Sequence, residues 1–103
     1  MPTVIGVDSS TQSCKVLVVD SETGAIVAEA TTTHPEGTEV NPQAWWDALQ
    51  ASLAQVDTSQ VEALSIGAQQ HGMVVLDESG AVIRDALLWN DTRSAPQAED
   101  IIL

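Results

Sequence analysis

Apolar and polar positions alternate along the first third of the chain in short runs separated by turn residues. Val4 to Val7 forms an apolar run that ends at Asp8, and Ser9-Ser10-Thr11-Gln12-Ser13 follows as a polar stretch. Val16-Leu17-Val18-Val19 forms the next run, ending at Asp20, and Ser21-Glu22-Thr23-Gly24 supplies turn chemistry before an extended segment from Ala25 to Thr33. Short β-branched runs with polar turns between them predict three antiparallel strands in a meander.

His34-Pro35-Glu36-Gly37 breaks that pattern, and Asn41-Pro42 marks a helix start, with Asn as N-cap and Pro at the first helical position. Trp46, Leu49, Leu53 and Val56 then recur at spacings of three and four, which predicts a helix with one apolar face lying over the sheet. Trp45 and Trp46 are about 100° apart on such a helix, so packing explains them better than a paired stacking platform. Val61 to Ile66 is the next strand, and a connection through a helix makes it a candidate for parallel pairing with the first. Met73 to Leu76, the turn Asp77-Glu78-Ser79-Gly80, and Ala81 to Ile83 predict a second hairpin on the plan of the Asp20–Gly24 turn. Two copies of a hairpin plan do not make a repeat architecture. Pro96 to Leu103 begins a helix-like segment, and its apolar end suggests a cut chain.

Composition narrows the field. At 103 residues and 44% hydrophobic, the chain has room for one small domain, built without Phe or Tyr from aliphatic residues and three tryptophans. The fold class expected is α/β, with a mixed sheet that opens on a three-stranded antiparallel meander and carries one main helix. A net charge of −12, from 15 acidic against 3 basic residues, repels polyanions and argues against nucleic acid and anionic membrane as partners. The lone Cys14 has no disulfide partner and no metal-ligand spacing around it, which suits a small buried side chain. With neither a basic, apolar leader nor a spanning segment in these residues, a cytoplasmic setting is expected.

Asp8 closes the first strand, and Ser10, Thr11, Gln12 and Lys15 fill or follow the turn. A carboxylate there suits hydrated Mg²⁺, and the hydroxyls and amides of a tight turn suit phosphate oxygens. Taken alone, such a loop is also ordinary turn chemistry.

Context changes that balance. Ile5-Gly6-Val7-Asp8-Ser9-Ser10-Thr11-Gln12-Ser13-Cys14-Lys15 resembles the first phosphate motif of the actin-like ATPases and, within them, the opening of the FGGY carbohydrate kinases. Asn41-Pro42-Gln43-Ala44-Trp45-Trp46, Ile66-Gly67-Ala68-Gln69-Gln70-His71-Gly72 and Leu88-Trp89-Asn90-Asp91-Thr92-Arg93 follow in order, and together they resemble the xylulokinase branch of that family over essentially the whole chain. The resemblance implies a ribonuclease H-like fold, with residues 1–103 as the opening portion of the first of two domains, and ATP-dependent phosphorylation of D-xylulose by the intact parent.

It implies Asp8 as the catalytic and metal-binding acid, and Ser10, Thr11, Gln12 and Lys15 around the phosphates. Gln70, His71, Asn90 and Asp91 would lie at the sugar, with ATP and Mg²⁺ as cofactors. It also implies that the general base and the adenosine site lie beyond residue 103, so that the piece alone is inactive. A homodimeric parent and self-association of the piece complete the expectations. Two departures from the family pattern stand out: Ser10 replaces a Gly, which raises the question of strain at positive φ, and Gln70 replaces a Met. Kinases for ribulose, glycerol or gluconate, and a non-catalytic actin-like binding module, remain alternatives.

Overall fold

The computed structural model describes residues 1–102. Its elements are β1 (Thr3–Ser9), β2 (Ser13–Asp20), β3 (Ile26–Thr33), β4 (Glu39–Val40), α1 (Gln43–Leu53), β5 (Val61–Ala68), β6 (Ala86–Leu87) and α2 (Ala95–Ile101). A four-stranded mixed sheet has the order β3-β2-β1-β5, and β4 pairs with β6 in a separate two-stranded ribbon. The meander is present as expected, with β1 antiparallel to β2 and β2 antiparallel to β3. So is the crossover: β5 returns through α1 to lie parallel to β1, with Asp8 opposite Gly67.

Strand alternation decides the core. Ile5 and Val7 from β1 and Cys14, Val16 and Val18 from β2 point to one face, where Ala48 of α1 meets them. Cys14 and Val16 are fully buried, and burial pushes the Cys14 thiol upward from its ordinary pKa against a smaller opposing hydrogen bond from Ser52.

The helix start differs by one residue from the expected one. Pro42 occupies the N-cap position, and the Asn41 side chain accepts a hydrogen bond from the Gln43 amide at 3.0 Å. The buried stripe is also rotated. Ala48 and Ser52 are its centre, with Leu49, Leu53 and Val56 half-buried beside them, whereas Trp46 is 56% exposed. The spacing rule placed Trp46 on the core face because it is apolar. The packed stripe instead uses small residues, which allow α1 to approach β2 and β3 closely. Ser52 is tolerated there because its hydroxyl lies 2.7 Å from that of Thr32.

The second predicted hairpin is reduced to a turn with one bridge, Leu76 to Val82. Its turn nevertheless repeats the chemistry of the first. Asp20 Oδ1 accepts from the Glu22 amide and Asp77 Oδ1 from the Ser79 amide, both at 2.8 Å, and Gly24 and Gly80 supply φ values of 76° and 88°. Ala86–Leu87 pairs not with that hairpin but with Glu39–Val40, a two-residue strand hidden after the His34–Gly37 break. α2 falls where a helical segment was expected; Leu103 lies outside the described residues.

Candidate active site

β1 delivers Asp8 to the end of the sheet, and the chain turns back at Ser10 to Gln12. Asp8 and Lys15 are register partners on the face away from α1, and both are exposed. The Ser10 amide donates to the Ser13 carbonyl at 2.9 Å, which closes the turn. The Ser10 hydroxyl donates to the Asp8 carboxylate. Ser10 keeps a negative φ, so the residue that replaces the family's glycine introduces no left-handed strain.

Two remote segments tie down Thr11. Its hydroxyl donates to Gln69 Oε1 at 3.2 Å and accepts from the Trp89 indole N–H at 2.8 Å. A hydroxyl can serve as donor and acceptor at once, so one side chain joins the β1–β2 turn, the end of β5 and the segment after β6. The Gln69 amide adds a bond to the Ser9 carbonyl at 3.2 Å.

Two cavities flank this junction. The first, about 480 Å³, is lined by Thr11, Gln12, His34 and Asn90 among others. The second, about 420 Å³, is lined by His71, Trp89 and Asp91 with apolar Met73 and Leu88. Thr11, Gln12 and Asn90 therefore share one cavity, and His71 and Asp91 share the other. Asp8 lines neither of these cavities. Gln70 is exposed outside both.

His71 has φ of 63°, the one non-glycine residue at positive φ among those described. Such a conformation costs on the order of 1–3 kcal/mol in general, and its occurrence at a cavity wall is a pointer to function. Gly72 follows it closely against the Leu87 carbonyl, where an added Cβ would lie 3.6 Å away.

Asp91 is engaged locally. Its carboxylate accepts from the Arg93 guanidinium at 2.9 to 3.1 Å, from the Arg93 amide at 2.9 Å and from the Thr38 hydroxyl at 2.8 Å. The Arg93 side-chain bonds chiefly, then the amide and Thr38, hold its pKa down at about 2. Arg93 also reaches Glu39 at 3.4 Å, so the pair braces β4 against the chain leaving β6.

A metal fit can be judged from the donors. Asp8 with the adjacent Ser10 hydroxyl offers hard oxygen ligands, and no group of three or more His, Cys, Asp or Glu side chains gathers among the described residues. One carboxylate beside a hydroxyl-rich turn suits Mg²⁺ that keeps several waters, not a cage made wholly of protein.

Sequence reasoning passed over Gln69, Trp89 and His34 as site residues. Gln69 and Trp89 lie inside quoted motifs, next to residues that drew attention. His34 carries no local signal, because its role depends on a contact with a loop more than twenty positions earlier.

A mixed sheet of this order, closed by a strand-ending aspartate and a hydroxyl-rich turn, is the opening of the actin-like ATPase fold. The chain belongs to the FGGY family of carbohydrate kinases, whose N-terminal domain matches residues 3–102. It is 57% identical over 96 residues to a xylulose kinase of Arthrobacter sp., covering 92% of this chain and 100% of that sequence. It is 51% identical over 107 residues to the xylulose kinase of Streptomyces coelicolor, covering 98% of this chain but 22% of that protein. Among solved structures, the xylulose kinase from Bifidobacterium adolescentis superposes with a TM-score of 0.92 at 55% identity, over 97% of this chain and 20% of that one. The chain thus spans about a fifth of the Streptomyces and Bifidobacterium proteins. No described helix is long and apolar enough to cross a membrane.

Proposed function

We propose that the protein to which this chain contributes transfers the γ-phosphoryl group of ATP to D-xylulose, giving D-xylulose 5-phosphate. Residues 1–103 would form the opening part of its first domain. The observation that carries this reading is the identity of more than half the residues with xylulose kinases over the stretch holding both the aspartate loop and the His71 segment. The tie from Thr11 to Gln69 and Trp89 supports it, since phosphate and sugar elements then meet at one side chain.

Phosphoryl transfer rests on positioning and charge neutralisation. Asp8 would hold a hydrated Mg²⁺ at the loop, and the ion would supply positive charge to offset that of the phosphates. The Thr11 and Gln12 amides have no acceptor among the described residues and would donate to phosphate oxygens. Lys15, opposite Asp8, adds positive charge on the same face. His71, fixed by its left-handed backbone, would bind a sugar hydroxyl in the cavity that Asp91 also borders, while Asn90 would lie in the neighbouring cavity beside Thr11 and Gln12, and Gln70 outside both.

The base that takes the hydroxyl proton and the adenosine site would be supplied by residues beyond these. This chain alone should therefore lack kinase activity. An ADP-release assay on the whole protein with Mg-ATP and D-xylulose, ribulose, glycerol or gluconate tests the reading. Fastest turnover with xylulose, and none from this chain alone, is expected. Faster turnover with another acceptor would reassign the substrate, and Mg-ATP binding with no sugar-dependent turnover would replace the kinase by a binding module.

A further inference from the structure

His34 follows directly on β3 and is 6% exposed. Both of its hydrogen-bonding ties run to the aspartate loop. Its amide donates to the Gln12 carbonyl at 2.8 Å, one step beyond the β2–β3 ladder. Its ring Nδ1 lies 2.8 Å from the Ser10 carbonyl. A carbonyl only accepts, so Nδ1 carries the proton and donates. Nε2 is buried and finds no partner among the described residues. The loop carbonyl is thus the one polar group that this buried ring engages.

The consequence follows from peptide geometry. The Ser10 carbonyl and the Thr11 N–H share one planar trans peptide and point in opposite directions. A ring that draws the carbonyl to the His34 side therefore turns the Thr11 N–H to the other side, where it has no acceptor among the described residues. The Thr11 hydroxyl is already held by Gln69 and Trp89, so His34 supplies the missing constraint on the backbone of the same residue.

We infer that His34 is a positioning residue of the phosphate loop: it holds the Ser10–Thr11 peptide so that the Thr11 amide is aimed at a phosphate oxygen. The inference rests on reading the loop as a phosphate site. It needs no contact between His34 and ATP.

The test uses the whole protein and three variants, His34→Ala, His34→Asn and His34→Gln. The Asn amide nitrogen falls near the place of Nδ1, and the Gln amide nitrogen near that of Nε2. Loss of one aimed donor to a transition state costs about 100-fold to 1,000-fold, so misaiming it in His34→Ala should lower kcat/KM for ATP at least about tenfold. KM for the sugar should stay the same. His34→Asn should return to within about threefold of the unaltered protein while His34→Gln stays low.

Equal recovery or equal loss in Asn and Gln, or a His34→Ala enzyme within about twofold of the unaltered one, overturns the inference. Should His34→Ala not fold, the Asn and Gln pair decides on the same terms. If the unaltered protein shows no sugar-dependent turnover, the kinase reading fails separately. Calorimetric dissociation constants for Mg-ATP across the Asn and Gln variants then decide the role of His34, with weaker binding in Gln alone as the supporting result.

Discussion

β1 and β5 lie side by side in parallel register, and both alternate apolar with small or polar residues, yet they meet opposite fates. Ile5 and Val7 of β1 are 3% and 5% exposed, whereas their register partners Leu64 and Ile66 of β5 are 45% and 51% exposed. The difference is one of cover. α1 lies over β2 and β3, and its Ala48–Ser52 stripe closes on the inner strands, reaching Val61 at the start of β5 but leaving Leu64 and Ile66 largely uncovered. The radius of gyration tells the same story, at 17.0 Å where a compact domain of this length would have about 13 Å. Burial is therefore a property of what rests on a strand, and the same alternation yields a core on one side of β1 and an uncovered surface on the other.

Three measurements would break or sharpen this contrast. The largest effect is expected at the covered strand, where Ile5→Ala should destabilise this chain by about 2–5 kcal/mol in urea unfolding. A cost no greater than that of a surface change would show that the β1–β2–α1 cluster is not the core.

A smaller effect is expected where β4 is braced to the chain after β6. The Asp91 carboxyl is held at about 2, below the ordinary value of 3.8. A depressed carboxyl contributes stability that is fully present above its unfolded value and is lost as pH falls toward the folded one. Stability should therefore drop between about pH 4 and pH 2, and Asp91→Asn should flatten that part of the curve. Arg93 is 48% exposed, so added salt should shrink the effect. An acid limb of unchanged steepness in Asp91→Asn would show that other carboxyls govern it.

The smallest effect belongs to the uncovered strand. Leu64→Ala should shift stability of this chain by about 0.5 kcal/mol or less, read from the same urea transitions. A cost matching that of Ile5→Ala would abolish the distinction between the two strands.

The meander, the crossover and both Asp-to-Gly turns were legible because each depends on neighbours in the chain: period-two alternation, turn residues and the length of a connection. Asp8 and its hydroxyl-rich turn were legible for the same reason. The Trp46 face was misplaced because apolar spacing identifies a stripe only when bulk and burial agree, and here the packed positions are the small Ala48 and Ser52. β4 was missed because a two-residue strand has too few positions to show a period.

The amino-acid sequence by itself determined the family, the order of strands in the mixed sheet and the aspartate at the end of β1, since local pattern and motif order carry that information. Only the tertiary structure decided that Thr11 is tied to Gln69 and Trp89, that His34 grips the loop, and that Asp91 is spent on Arg93 and Thr38. Those bonds join residues 24 to 78 positions apart, apart from the Asp91–Arg93 link, and long-range pairing of polar atoms leaves no periodic trace in a single chain.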